Sequence, residues 1–378
     1  MRISFLVERP TQFEAPFFRY AAGDPGHELR ALFTAADVAE PIFDPELGHT
    51  VSWGIDLLGG YPYAVCPARG RGRFLAREIR RNRCDLLIAN GYTRKDYLVA
   101  VGLARRAGVP TALRLDSVPE PEAARRPARR LLFSALLRPA FDLFLGVGTL
   151  TLDYLEACGV PPERRGLFPY AVDVEHFRER SGLSPEEREA ARARLGLTAG
   201  EKAVLSVAKL NPREGPWDLL RALPHLPAGV RLLLAGDGPQ RAELEQLAAE
   251  LGPGRARFLS YVPYLELPAL YGAVDLFVHT AREERWGVSV AEALACGLPV
   301  VASSRVGAAY DLVAPGRNGG IYPSGDAPLL ARRVEEALAL PLAEVRAASE
   351  EILARWDYPA SWRSLLEAAS RVSRDPAS

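Results

Sequence analysis

Net charge is missing from this chain. Its 378 residues carry 47 Lys+Arg against 47 Asp+Glu, so the molecule as a whole is not built to bind nucleic acid. Cysteine is sparse, and Cys66, Cys84, Cys158 and Cys296 show neither Cys-x-x-Cys nor paired spacing. The simplest reading is a reduced, cytoplasmic protein with no structural zinc. No run is long and apolar enough to span a bilayer. The opening Met1-Arg-Ile-Ser-Phe-Leu-Val-Glu-Arg-Pro10 is too short in apolar residues for a signal peptide and reads as a first strand. Methionine occurs once, and lysine and asparagine are scarce beside abundant Arg, Ala, Leu and Pro. That balance fits a GC-rich genome or a warm habitat. There is no repeat and no low-complexity segment. Ile3 to Arg19 lacks the glycine fingerprint of a dinucleotide fold, which disfavours a nicotinamide dehydrogenase.

What is present is an alternation of strand-like apolar runs with helical patterns, the mark of parallel α/β sheets. In the first half, strands are expected at 3–7, 86–89, 111–114, 143–147 and 166–168, with helices at 72–83, 97–107 and 128–140. In the second half, strands are expected at 203–207, 231–235, 256–258, 276–279, 299–302 and 320–322. Helices are expected there at 216–222, 239–250, 265–271, 289–296 and 329–340. The polar stretch Asp173 to Lys202, with its charged helix Ser184 to Leu195, marks the boundary. Length supports two domains: residues 1–178, residues 179–355, and a C-terminal amphipathic helix, 356–378, packing back on the first domain and ending in a frayed tail. The expected fold class is α/β, two Rossmann-like doubly wound domains facing across a cleft.

The richest segment is Glu284-Arg-Trp-Gly287-Val288-Ser289-Val-Ala-Glu292-Ala-Leu-Ala-Cys-Gly297-Leu-Pro299. It follows the apolar strand Asp275 to His279, and Gly297 and Pro299 are helix stop signals. The free amides of Gly287, Val288 and Ser289 would open a helix at the strand's carboxyl end, an anion site. With a carboxylate on either side, it suits a ligand bearing phosphates and hydroxyls, as a nucleotide sugar does. Val207 to Gly215 places Lys209 and Arg213 on another strand-end loop, where they serve a diphosphate or only a solvated surface. Gly236 and Gly238 permit close backbone approach, though taken singly a tight strand-to-helix connection explains them better. Tyr261 and Val262 either border a base or pack.

These pieces, with Leu-Ala-Gly-Asp-Gly-Pro (234–239), Phe-Leu-Ser-Tyr-Val (258–262), Leu-Pro-Ala-Leu-Tyr (267–271) and Val306-Gly-Ala…Asn318-Gly319, resemble the family 4 retaining glycosyltransferases of GT-B fold. The resemblance covers nearly the whole chain and is strongest from Ala203 to Gly325. It implies a retaining sugar transfer from a nucleotide-diphosphate sugar to a glycan, lipid-linked or small-molecule acceptor, in cell-surface polysaccharide or glycoconjugate synthesis; because no Asp-x-Asp lies at a suitable strand end, the transfer is expected to be metal-independent. No cofactor is implied, and no nucleic acid. Glu284 would face the donor sugar, the 287–289 amides its phosphates, Glu292 the ribose, and Lys209 the diphosphate in place of the family's arginine. Tyr261 and Val262 would border the base. Gly236 joins the donor set, and Gln12, Arg19, Asn90 and Arg114 form an acceptor set on the first domain.

Two departures stand out. The family's second basic residue before the glycine is here Glu214, so its task passes to Arg213. The family's first-domain histidine is replaced by Leu113-Arg114-Leu115-Asp116-Ser117, where Arg114 or Asp116 would act instead, Asp116 being the catalytic candidate set beside Glu284 and Lys209. A catalytically degenerate relative and a sugar-nucleotide epimerase are the alternatives. Finally, Arg69, Arg71, Arg73, Arg77, Arg80, Arg81 and Arg83, and then Arg125, Arg126, Arg129 and Arg130, form basic patches. They suit either the anionic inner face of a membrane or a solvated surface.

Overall fold

The computed structural model describes residues 1–38, 41–44, 49–81, 84–118, 131 and 133–372. The chain divides into two compact units. The first comprises Met1–Ala39, Asp56–Ala171 and Tyr358–Ser378; the second comprises Glu40–Ile55 and Val172–Asp357. The division falls at Val172 rather than at 179, and Glu40–Ile55, early in the chain, groups with the second unit.

Strands of the first half are β1 (Arg2–Val7), β2 (Glu28–Phe33), β3 (Ile42–Asp44), β4 (His49–Val51), β5 (Tyr63–Val65), β6 (Leu86–Asn90), β7 (Thr111–Leu115), β8 (Leu143–Gly146) and β9 (Arg165–Leu167). Seven form one parallel sheet in the order β5-β2-β1-β6-β7-β8-β9, while β3 and β4 pair as an antiparallel hairpin. The second unit contains β10 (Lys202–Val207), β11 (Val230–Ala235), β12 (Ala256–Leu259), β13 (Leu276–His279), β14 (Val300–Ser303) and β15 (Gly319–Tyr322), in the order β12-β11-β10-β13-β14-β15. Both sheets are doubly wound: order reverses beside β1 in the first and beside β10 in the second. Ligands of such sheets sit at the carboxyl ends of the strands flanking the reversal. In the second unit these strands are β10 and β13.

Burial on both faces explains the continuous apolar strands. Val204, Leu205, Leu276, Phe277, Val278, Val300 and Val301 are all fully buried. Outside this sheet, the helix Pro185–Arg194 is held by a capping box in which Ser184 and Glu187 bond each other's backbone amides. Arg188 and Arg192 from this helix pair with Asp275 at 3.1 and 3.0 Å, tying the helix to the start of β13.

The C-terminal helix Tyr358–Ser370 belongs to the first unit. Trp362 donates its indole N–H to Asp24 at 2.7 Å, and Ser364 donates to the Leu167 carbonyl at 2.8 Å. The rings of Tyr358 and Trp362 pack on Phe17. Two strands and a hairpin absent from the sequence reading appear here, β2, β5 and β3–β4. Of the expected helix at 128–140, residues 131 and 133–140 are described, and they include a short π-helix at Phe133–Leu137.

Candidate functional site

In the second unit the loops leaving β10 and β13 are laced together. The Arg282 amide donates to the Arg213 carbonyl at 2.8 Å, and the Thr280 hydroxyl donates to the Glu214 carbonyl at 3.1 Å. Arg282 also pairs with fully buried Asp218 at 2.8 Å. Glu284 is fixed by its backbone, which bonds Arg305 and Gly307, and its carboxylate accepts from the Trp286 amide at 3.2 Å. The helix Val288–Ala295 then begins at Gly287, whose φ is 103°. A side chain at 287 would be strained by that φ and would press on Val306 at 2.9 Å and on the His279 ring at 3.2 Å. The first amides of this helix have no carbonyl one turn back to bond, and Val288 and Ser289 are half-buried.

One turn into the helix, Glu292 is buried and accepts from the Tyr271 hydroxyl at 3.1 Å. Burial pushes its carboxyl up to about 7, the Tyr271 bond opposing the shift. Lys209 reaches Asp44 of the β3–β4 hairpin, Nζ to Oδ2 2.7 Å. Arg213 pairs with its neighbour Glu214 at 2.9 Å. Both cations expected on a diphosphate therefore already face carboxylates. Tyr261 donates its hydroxyl to the Ser52 carbonyl at 3.2 Å, just beyond the same hairpin; Tyr261 and Val262 are half-buried. Gly236, placed in the donor set, is required by the fold itself: a Cβ there would lie 2.1 Å from the Ala208 carbonyl oxygen.

The structure adds a group that sequence reading passed over. His279, the last residue of β13, lies with Glu214 and Glu284 so that one ligand atom from each falls within 4.8 Å of the others. No spacing signal could have found it, because the three residues come from two loops brought together by the order of the sheet.

In the first unit the expected acceptor residues divide. Arg114 is held by groups of the first unit itself. It is 4% exposed, donates to the Phe168 and Pro169 carbonyls at 3.2 and 2.5 Å, and lies against the rings of Phe168 and Tyr170. Its charge faces buried Glu14 at 3.6 Å. Asn90 donates to the same carboxylate, as does Thr11 at 3.1 Å. Asn90 and Arg114 thus serve Glu14, which the sequence reading did not single out and whose pKa burial raises. Arg19 donates to the Gly59 carbonyl at 2.9 Å and braces that loop. Gln12 and Asp116 are half-buried at the carboxyl ends of β1 and β7.

Comparison with known proteins agrees with this layout. Residues 187–353 match the glycosyl transferases group 1 family. A D-inositol 3-phosphate glycosyltransferase of Mycolicibacterium smegmatis is 37% identical over 211 residues, covering 54% of this chain and 46% of that protein. Its counterpart from Mycobacterium tuberculosis is 32% identical over 212 residues, covering 54% and 42%. The chain thus spans a little under half the length of the curated relatives it matches. Among solved structures, Anabaena Alr3699/HepE in complex with UDP superposes with a TM-score of 0.76 at 21% identity, covering 98% of this chain and all of that one. A glycosyltransferase from Rickettsia africae gives 0.75 at 13%, with 98% of each covered. WaaG, a glycosyltransferase of lipopolysaccharide biosynthesis, gives 0.64 at 18%, covering 99% and 100%. At these identities the likeness shows the fold, which is that of GT-B glycosyltransferases.

Proposed function

We propose that this protein is a retaining glycosyltransferase that moves a sugar from a nucleotide-diphosphate sugar to a glycan, lipid-linked or small-molecule acceptor. The supporting observation is the convergence, at the switch point of the second sheet, of Lys209, Arg213 and Glu284 with the helix opening at Gly287. Departure of a nucleoside diphosphate builds negative charge on its oxygens. Lys209, Arg213 and the amides of Gly287, Val288 and Ser289 would stabilise that charge. Glu284 would hold the donor sugar and Glu292 the ribose hydroxyls, while Asp116, Gln12 and Arg19 belong to the acceptor side. UDP is the first nucleotide to try, since Anabaena HepE was crystallised with UDP-glucose on the same fold. The named relatives favour a small phosphorylated polyol among candidate acceptors.

Thermal stabilisation by UDP, GDP and ADP, with Glu292→Ala as control, tests donor binding. A shift with one nucleotide that vanishes in the variant supports the reading. No shift with any of them favours the degenerate relative, a reading to which the ion pairs on Lys209 and Arg213 lend weight. NMR of the product tests retention, and an inverted anomer would sink it.

The site would work in glycoconjugate synthesis at the inner face of a membrane. Arg73, Arg77, Arg80 and Arg81 are exposed on the helix Arg71–Arg81, a surface suited to anionic lipid. Arg83 and Arg125 to Arg130 lie outside the described residues. Among the described residues no helix is long and apolar enough to cross a membrane. Liposome flotation decides, and binding independent of anionic lipid removes the idea.

A further inference from the structure

We propose that the first unit binds a small phosphomonoester in a cavity at the amino ends of β1 and β2, gripped by Arg2, Arg30 and Arg81. The cavity measures about 460 Å3, and its lining includes these three arginines with Ser4, His27 and Glu28. That volume is ample for a small molecule. The arginines meet there because of the sheet register. In the parallel pair β1–β2, Arg2 stands opposite Glu28 and Ser4 opposite Arg30, so all four share one face of the sheet. Arg81 reaches the same cavity from the last turn of the helix Arg71–Arg81.

These guanidiniums carry more donors than the fold uses. Arg30 donates from Nη2 to Glu78 at 3.1 Å, while its Nε is buried with no partner among the described residues. Buried polar atoms are ordinarily paired, and each exception requires a physical reason. The Arg2 guanidinium meets Asp85 at 3.7 Å, beyond hydrogen-bond length. Arg81 is exposed and makes neither hydrogen bond nor ion pair among the described residues. Neither Glu78 nor Asp85 lines the cavity, so each holds its guanidinium from outside it.

Guanidinium groups stay charged at any physiological pH, and their planar forks match the oxygens of phosphate. A phosphomonoester brings about two negative charges and three terminal oxygens to them. Glu28, the acid of the lining, is exposed. There it suits a hydroxyl on the organic part of the ligand and disfavours a second anionic group. His27 is fixed by Asp24 at 2.8 Å, with its ring edge-on to Trp362 of the C-terminal helix.

The cavity is separate from the transfer chemistry. A six-residue strand such as β1 spans about 20 Å. In the expected acceptor set, Gln12 follows the carboxyl end of β1 and Asn90 ends β6. The ligand is therefore a third molecule, neither donor nor acceptor.

Calorimetric titration of the full chain with glycerol 3-phosphate, and with glycerol, tests the site. Saturable binding of the ester and none of glycerol is expected. Arg81→Gln and Arg30→Lys should each weaken binding about tenfold or more; the lysine keeps the charge beside Glu78 but loses the planar fork. Arg106→Gln, which removes an exposed arginine outside the cavity, should leave binding unchanged and so separate a built site from a diffuse basic surface. Circular dichroism establishes that each variant is folded. Absence of saturable binding, displacement of the ester by UDP, or binding unchanged in both Arg30→Lys and Arg81→Gln overturns the proposal. Phosphatidic acid carries the same monoester on a lipid. Flotation with phosphatidylcholine vesicles containing it, competed by glycerol 3-phosphate and lost in Arg81→Gln, assigns a lipid headgroup as the source. Calorimetric binding without such flotation assigns a free metabolite.

Discussion

The Tyr271 hydroxyl donates to Oε2 of Glu292 at 3.1 Å, and both side chains are buried. Burial pushes the Glu292 carboxyl up to about 7 against the tyrosine's stabilising bond. The native pKa therefore lies above the unfolded value of about 4.3. Charging Glu292 in the folded protein is unfavourable, so its contribution to apo stability declines as pH rises from the unfolded pKa to about 7. Ribose hydroxyls bond best to the ionised form. Nucleotide affinity should accordingly increase from pH 6 to pH 8, and Glu292→Gln should flatten the part of that rise which the nucleotide's own phosphate titration does not explain. Isothermal titration at several pH values, parent against variant, measures the difference. Parallel profiles would remove Glu292 from the nucleotide site.

Asp44 competes for Lys209. The pair is partly exposed, with Lys209 at 34% and Asp44 at 19%, and such pairs contribute about 0–1 kcal/mol to stability. Asp44→Asn should leave the melting temperature nearly unchanged while tightening UDP binding about two- to fivefold. Lys209→Ala should weaken the same binding. Unaltered affinity in Asp44→Asn would show that the carboxylate is no obstacle to the ligand.

Gly287 combines a φ of 103° with contacts to Val306 and His279. Gly287→Ala should cost about 1–2 kcal/mol through backbone strain alone. Thermal denaturation should show a fall of several degrees. Activity should drop further than stability, because the helix start that presents the first amides is the part displaced. An unchanged melting temperature would contradict the strained geometry.

The buried pair Arg114–Glu14 offers a test of framework against acceptor contact. Removing one partner of a buried pair typically costs about 3–5 kcal/mol, because the other charge is left uncompensated. Arg114→Met should be destabilising on that scale in urea unfolding. Adding Glu14→Gln should recover much of the loss, since no carboxylate then remains buried without its cation. If Arg114→Met instead folds normally and loses only acceptor affinity, Arg114 is a substrate contact.

Much of the second unit was legible before any coordinates. Its six strands are short apolar runs with glycine or proline punctuation, and burial on both faces keeps such runs free of polar interruption. The helix at Val288–Ala295 was marked by Gly287 at one end and Gly297 with Pro299 at the other. The first unit read less clearly. Glu28-Leu-Arg-Ala-Leu-Phe33 opens with charged residues and is rich in helix formers, yet it pairs with β1 along its whole length; tertiary pairing overrode local preference. Tyr63–Val65 is three residues long and carries too little pattern to register.

The sequence by itself determined which segments are strands and helices across most of the chain, and which loops bear carboxylates and cations, because periodicity and punctuation are local properties. Only the tertiary structure decided which of those groups meet. Lys209 and Asp44 lie 2.7 Å apart across more than a hundred and sixty positions of sequence. Glu14 gathers Thr11, Asn90 and Arg114 from three different strand ends. His279 joins Glu214 because β13 is the neighbour of β10 in the sheet. Strand order depends on how crossovers pack over the whole sheet, and no window of sequence contains it.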